Sequence, residues 1–176
     1  MKRDPKEFRI SKKTKEKLKD KKKLHEELAS GKSAQEVMGF TDEAMAEFYQ
    51  GACQLMEHRR YVDAANAFLF LATLNAYQHD YWLGLGMSTQ LYGDFDGAID
   101  AYEMAAICDV NNPVPYFYLA KCLFATHDRK NAREALNITI EYCSTHPHYQ
   151  EIKHQAEAAL AMIDNDVPSD SDSENE

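Results

Sequence analysis

The chain has 176 residues, of which 44% are hydrophobic, so it is long enough for one domain with a buried core and terminal tails. Seven glycines and five prolines are too few for a β-sandwich with many turns. No run of eighteen apolar residues occurs and no apolar segment follows the basic start, so we expect neither a membrane-spanning helix nor a signal peptide. Four cysteines without C-x-x-C or zinc spacing indicate reduced thiols in a cytoplasmic protein.

Charge is unevenly distributed along the chain, whose net charge is −9. Residues 1–25 carry twelve Lys or Arg and four acidic residues, whereas residues 164–176 carry six acidic residues and no basic one. The pattern predicts a flexible basic arm over 1–25 and a disordered acidic tail over 164–176. Nucleic-acid binding by the arm stays an alternative, although its single aromatic residue, Phe8, offers little base stacking.

Helix signals follow the arm. Ser33 precedes an A-Q-E-V-M run that ends at Gly39, which predicts a short helix. Thr41 is placed to cap the next helix, with two acidic residues in its first turn. We therefore expect an N-terminal helical segment over 26–44.

A segment of 34 residues then repeats three times. Ala64, Ala98 and Ala132 are spaced by this period, as are an apolar residue four positions later and an aromatic residue sixteen positions earlier. This is the tetratricopeptide (TPR) pattern, in which each repeat is a pair of helices, so the chain is predicted to be an all-α TPR solenoid. Because terminal repeats expose an apolar face, a capping helix is expected after the last repeat. The predicted units are 45–78, 79–112 and 113–146, with the capping helix over 147–163.

Two glycines of the second unit, Gly84 and Gly86, lie inside a predicted helix, where each costs about 1 kcal/mol relative to alanine. Gly86 occupies the position where the first helix of the repeat meets the second, so its missing side chain lets the backbones approach. Gly84 is predicted to lie at the edge of the concave surface, where it leaves room for the backbone of a bound peptide. A tight contact between helices would explain Gly84 equally well.

The first helices of TPR units line the concave surface of the solenoid, and the residues predicted there are mostly apolar, aromatic or methionine. A continuous patch of this kind is rare on a monomer without a partner, and methionine suits adaptable contact with apolar peptides. Some of these side chains are expected to pack against a neighbouring helix instead. The predicted concave positions are Ala46, Tyr49, Cys53, Met56, Glu57, Asp80, Leu83, Met87, Gln90, Leu91, Val114, Phe117, Lys121, Phe124 and Ala125.

Other kinds of site are not indicated. The Y-W-L-G-L-G run lacks the third glycine of a dinucleotide fingerprint, and the G-K-S run at 31–33 lacks the upstream glycine of a P-loop. His146, His148 and His154 have no cysteine or acid at zinc spacing beside them. We therefore expect no catalytic site, no metal and no cofactor.

TPR co-chaperones that hold the acidic C-terminus of a heat-shock protein use a clamp of Lys, Asn, Asn, Lys and Arg. The corresponding residues here are Tyr49, Cys53, Gly84, Val114 and Tyr118. None of them matches, so a clamp for a charged terminus is not predicted.

Several longer motifs carry a family resemblance. They are S-G-K-S-A-Q-E-V-M-G-F-T-D-E-A-M at 30–45, Y-Q-G-A-C-Q, R-Y-V-D-A, Y-W-L-G-L-G-M, G-D-F-D-G-A-I and A-I-C-D-V-N-N-P-V-P-Y-F. With these motifs, the segment from Glu27 to about His146 resembles the class II, translocator-type chaperones of bacterial type III secretion. The basic arm and the acidic tail look unlike the core of that family.

The resemblance implies a function. In that family, three TPRs bind hydrophobic translocator proteins in the cytoplasm before export, with an extended P-x-L-x-x-P-like segment in the concave groove. An N-terminal helix often forms homodimers. A general TPR scaffold that joins folded proteins, and a nucleic-acid adaptor, stay alternatives. By position, the family's groove contacts would fall on Tyr49, Met56, Leu74, Leu83 and Phe117. The full set of predicted peptide-binding residues is Tyr49, Cys53, Met56, Leu74, Leu83, Gly84, Met87, Gln90, Val114, Phe117, Lys121 and Phe124.

Overall fold

The computed structural model describes residues 16 and 19–165, and this part of the chain is all-helical, which confirms the predicted fold class. None of the helices in these residues combines the length and the apolar character needed to cross a membrane. A 3-10 turn at Pro147–Tyr149 leads into the last helix. The helices are α1 (Lys21–Ala29), α2 (Ala34–Met38), α3 (Asp42–Glu57), α4 (Tyr61–Leu74), α5 (His79–Tyr92), α6 (Phe95–Cys108), α7 (Pro113–Ala125), α8 (Arg129–Ser144) and α9 (Gln150–Asn165).

The helices stack in the order of the chain. From α3 to α9, each helix packs against the next one. Among the first helices of the pairs, α3 also touches α5 and α5 touches α7, and α7 touches α9 in the same way, whereas the second helices of the described pairs lie further apart. The stack therefore curves toward its first helices, which form the concave side, as in a TPR solenoid.

The N-terminal segment follows the predicted caps. Ser33 and Glu36 form a capping box, in which the Glu36 N–H donates to Ser33 Oγ at 3.2 Å and the Ser33 N–H donates to Glu36 Oε2 at 2.8 Å. Gly39 ends α2 with a φ of 75°, a backbone conformation that favours glycine. The Ala44 N–H donates to Thr41 Oγ1 at 3.3 Å at the start of α3. The predicted short helix, its end at Gly39 and the Thr41 cap are therefore confirmed, whereas the capping box was not predicted.

Two predicted boundaries differ from the structure. Helix α1 begins at Lys21, inside the predicted flexible arm, because Asp20 accepts a hydrogen bond from the Lys23 N–H at 3.1 Å and caps the helix. Helix α9 continues to Asn165, and its Asp164 forms an ion pair with Arg133 of α8. The remaining parts of the predicted arm and tail, residues 1–15, 17–18 and 166–176, lie outside the described residues.

The alanines that recur with the period of 34 residues lie at the helix crossings. Ala64, Ala98 and Ala132 are fully buried, and the larger residues four positions later are buried with them. On α9, Ala156 and Ile163 are buried in the same core cluster as the third helix pair, so α9 covers the end of the stack. Small residues at each crossing let the paired helices approach closely.

All four cysteines are free thiols. Cys122 and Cys143 are buried, while Cys53 and Cys108 are half-buried. Burial raises the pKa of the Cys122 thiol to about 11, so this group stays protonated and packs as a small apolar side chain.

The turn inside each helix pair uses a left-handed residue, and these residues keep the period of 34. Arg59, Gly93 and His127 have φ values of 59°, 97° and 66°. Only glycine adopts this conformation without a steric cost. We therefore expect His127→Gly to raise the free energy of unfolding by up to about 1 kcal/mol, and Gly93→Ala to lower it by a similar amount. Thermal denaturation followed by circular dichroism measures both changes, and an unchanged melting temperature for His127→Gly would contradict the assigned strain.

Candidate functional site

The predicted peptide-binding residues lie on α3, α5 and α7, with the exception of Leu74 at the end of α4. The concave side of the stack therefore brings together residues that are far apart in the sequence. Lys121 and Phe124 are exposed. The half-buried members are Tyr49, Cys53, Met56, Leu83, Gly84, Met87, Gln90 and Val114.

The end of the concave side at the first helix pair is aromatic and acidic. The Tyr49 ring lies edge-on to Phe68, with centroids 5.8 Å apart, and 5.9 Å from the ring of Tyr81. Burial raises the pKa of Tyr49 to about 12, and the nearby Cys53 and Asp80 add to the shift. A cavity of about 280 Å³ opens here. Its lining is Gln35, Asp42, Met45, Ala46, Tyr49, Asn75, Gln78, Asp80 and Tyr81.

In the middle of the concave side, α5 is partly occupied by contacts within the fold. Leu83 and Met87 pack against the core cluster that contains Tyr102. Gln90 Oε1 accepts a hydrogen bond of 2.7 Å from the hydroxyl of Tyr102, whose side chain is fully buried. The Gln90 carbonyl therefore satisfies a buried donor, and leaving that donor unpaired would cost about 1–3 kcal/mol.

The far end of the concave side is apolar with basic residues beside it. Lys121 Nζ lies 5.4 Å from the ring centroids of both Phe117 and Tyr118, and the Arg129 guanidinium lies 5.8 Å from the ring of Phe124. A cavity of about 520 Å³ opens between α7 and α9. Its lining is Ala120, Lys121, Phe124, Leu136, Ala159, Met162, Ile163 and Asn165.

Gly84 is packed against another helix, so the structure favours the second of its two explanations, a tight contact between helices, over room for a bound peptide. A Cβ atom at this position would lie 2.6 Å from Cδ1 of Phe68, on the second helix of the preceding pair. Gly86 has the predicted role, because a Cβ atom there would lie 2.7 Å from Cδ1 of Tyr102, on the second helix of its own pair. Both glycines therefore allow close contact between helices.

Leu74 and Phe117 are also placed differently from the prediction. Their residues are only 4% and 6% exposed, and each belongs to a core cluster. Such side chains present little surface to a partner. Both are better described as core residues beneath the concave side.

Several residues at the site were not predicted from the sequence. Tyr81 and Asp42 line the first cavity, and Ala159 and Met162 line the second. The apolar residues Ile152, Ala156, Leu160 and Ile163 recur every three or four positions along α9, and Met162, which lies outside this apolar stripe, is 71% exposed. An apolar residue outside the buried stripe of a helix is expected to be exposed, and Met162 could have been identified from the sequence in this way.

The histidines before α9 make contacts within the fold. The ring of His148 lies 4.1 Å from that of Tyr149 and 5.8 Å from that of His146, and His146 Nδ1 lies 3.0 Å from the backbone oxygen of Tyr142. Within residues 16 and 19–165, no three His, Cys, Asp or Glu side chains are grouped so that they could hold a metal ion.

The helix stack and its concave, largely apolar side define a class of protein, the TPR-type helical repeat. Comparisons with known proteins make the assignment more specific. No family model matches the chain. The Low calcium response locus protein H of Yersinia pseudotuberculosis is 28% identical over 123 residues, which cover 70% of this chain and 73% of that protein. Chaperone protein SicA of Salmonella typhimurium is 26% identical over 114 residues, or 65% of this chain and 69% of SicA.

A solved structure agrees with these relatives. The type III secretion chaperone SycD of Yersinia enterocolitica, in complex with a peptide of the translocator YopD, has a TM-score of 0.69 and 26% identity. The match covers 71% of this chain and 95% of SycD. The chain is thus a homologue of the type III secretion translocator chaperones, and the resemblance inferred from its motifs is confirmed. That family consists of chaperones and is not a class of enzymes.

Proposed function

We propose that this chain is a cytoplasmic, non-enzymatic chaperone of type III secretion, which binds hydrophobic translocator proteins and keeps them soluble and unassembled before export. The observation that carries the proposal is the concave side, to which α3, α5 and α7 each contribute half-buried apolar or aromatic residues. The similarity to SycD, which was solved with a translocator peptide, supports an extended client segment in this groove. Burial of apolar client surface supplies the main driving force.

The proposed site follows the structure. The peptide-binding set leaves out Gly84, Leu74 and Phe117, which pack inside the fold, and keeps the remaining half-buried and exposed members of the predicted set. The division into units 45–78, 79–112 and 113–146 is part of the proposal. A homodimer formed through the N-terminal segment is also part of the proposal. Light scattering of the purified chain would measure the mass of this homodimer. The retained residues are Tyr49, Cys53, Met56, Leu83, Met87, Gln90, Val114, Lys121 and Phe124.

Co-expression with the translocator proteins of the same genome tests the function. A translocator expressed alone is expected in the insoluble fraction, and co-expression with the wild-type chain is expected to bring it into the soluble fraction. Leu83→Asp is expected to abolish this effect, because a half-buried concave residue would become charged and lose its apolar contact. Gel filtration of the soluble fraction measures the complex, and circular dichroism verifies that the variant is folded.

A matched control is Leu69→Asp on α4. Leu69 is 46% exposed on a second helix, away from the concave side, so this variant is expected to solubilise the client as the wild type does. A scaffold that joins folded proteins would leave translocator solubility unchanged. A nucleic-acid adaptor would bind in a salt-dependent way and lose binding when residues 1–25 are deleted. Either outcome would contradict the chaperone proposal.

A further inference from the structure

The cavity between α7 and α9 is a largely apolar concavity at the end of the concave side. Its volume is about 520 Å³, and two large side chains at its edge are unusually exposed, Phe124 at 42% and Met162 at 71%. Leu136 of α8 lies among its lining residues and is itself buried. An exposed apolar concavity of this kind marks an interaction site on a soluble protein.

The cavity continues the proposed client groove. Lys121 and Phe124 line the cavity and also belong to the proposed peptide-binding set. Helix α9 touches α7 just as α7 touches α5, so the capping helix extends the concave side by one further helix. A client segment that follows the groove past α7 therefore meets this cavity next.

Charge distinguishes this end of the groove from the other end. Lys121 lies over two aromatic rings, and no carboxylate among the described residues is within ion-pair distance of it. The cavity at the first helix pair carries Asp42 and Asp80 instead. The concave side therefore runs from an acidic end to a basic end, and this asymmetry discriminates between client charges.

We propose that the α7–α9 cavity is a second client subsite, which takes an apolar side chain that stands beside an acidic residue in the client segment. The apolar side chain lies against Phe124 and Met162, and the neighbouring carboxylate pairs with Lys121. This inference rests on the proposed function, since the segment must first bind in the groove. It assigns to the capping helix a direct role in client binding.

Three fluorescein-labelled peptides test the subsite by fluorescence anisotropy. All contain a P-x-L-x-x-P core flanked on both sides by a flexible Gly-Ser spacer. The first adds Leu-Asp-Asp after each spacer, the second adds Leu-Lys-Lys, and the third adds only further Gly and Ser. We expect the aspartate peptide to bind about tenfold more tightly than the core peptide, the effect of partly burying one leucine side chain. Because the net charge of the chain is −9, non-specific attraction favours the lysine peptide, so a preference for aspartate requires a local basic site.

Three variants test whether the advantage of the aspartate peptide arises at the α7–α9 cavity. Met162→Asp is expected to remove the tenfold advantage of the aspartate peptide while leaving the core peptide unaffected. Ile107→Asp on α6 is the matched control, because Ile107 is 68% exposed outside the groove, and it should bind all three peptides as the wild type does. Lys121→Glu should reverse the preference between the aspartate and lysine peptides.

The results of these binding experiments distinguish a failure of the subsite from a failure of the proposed function. If the core peptide binds but the aspartate peptide binds no better, or if Met162→Asp has no effect, the subsite is wrong and the groove function stands. If the wild type binds none of the peptides, the proposed function fails and the subsite fails with it. An advantage of the aspartate peptide that Met162→Asp removes and Ile107→Asp retains supports the subsite.

Discussion

Gly84→Ala and Gly86→Ala are each expected to lower the free energy of unfolding by roughly 1–3 kcal/mol, the usual cost of overpacking a core. The added Cβ atom would lie 2.6 Å from Cδ1 of Phe68 in the first case and 2.7 Å from Cδ1 of Tyr102 in the second. Phe68 is only 2% exposed and Tyr102 is fully buried, so neither ring has free space into which it can move. For a chain of this length, each kcal/mol corresponds to a shift of about 2–4 °C in melting temperature.

Gly51→Ala is the matched control for these variants. Gly51 lies inside α3, and a Cβ atom there would meet nothing within 4 Å. The substitution is expected to raise the free energy of unfolding by up to about 1 kcal/mol, because alanine favours the helix. Denaturant unfolding is therefore expected to show that the same added methyl group raises the free energy of unfolding at position 51 and lowers it at positions 84 and 86.

A double substitution separates the steric effect from other causes. Phe68→Leu replaces the ring that faces Gly84, so Gly84→Ala should cost less in the Phe68→Leu background than in the wild type. Gly86→Ala should cost the same in both backgrounds, because it faces Tyr102. The assigned contact is contradicted if Gly84→Ala stabilises the chain as Gly51→Ala does, or if Phe68→Leu leaves its cost unchanged.

Phe117→Ala and Phe124→Ala are expected to have different effects, although both remove a phenyl ring from α7. Phe117 is 6% exposed within a core cluster, so its truncation should lower the free energy of unfolding by about 3–5 kcal/mol. Phe124 is 42% exposed, so its truncation should leave stability close to that of the wild type. Guanidinium chloride unfolding, monitored by circular dichroism, measures both.

Client binding is expected to be weakened more by Phe124→Ala than by Phe117→Ala. Phe124→Ala is expected to weaken binding of a translocator segment that reaches α7 by ~2 kcal/mol, or about thirtyfold, because the exposed ring is available to the client. Phe117→Ala should affect binding only in proportion to the fraction of unfolded chain. The structural assignment of the two residues is wrong if Phe117→Ala is as stable as the wild type, or if Phe124→Ala unfolds early.

The regular features of the fold follow from the period of 34 residues. The recurrence of Ala64, Ala98 and Ala132 predicts the crossings within each helix pair, and all three residues are buried there. The short-range cap of Thr41 and the stop at Gly39 were likewise predictable, because caps depend only on residues a few positions away. The longer motifs added the family resemblance and with it the expected kind of partner.

The role of Gly84 depends on the tertiary structure. A repeat pattern defines the face of a helix that meets its own partner, as for Gly86, but not the face that meets the preceding pair. That second contact depends on the rotation between neighbouring units, and here it places Phe68 against Gly84. The tertiary structure also decides which concave side chains remain accessible, since Phe117 is buried while Phe124, on the same helix, is exposed.

The sequence by itself therefore determined the helix pairs, their order, the small residues inside each pair and the apolar character of the concave side. Only the tertiary structure decided which of those apolar residues form surface, and it placed Met162 of the capping helix beside Phe124 in one cavity. The physical reason is that helix periodicity and caps are local properties, whereas burial depends on how successive pairs are rotated against one another.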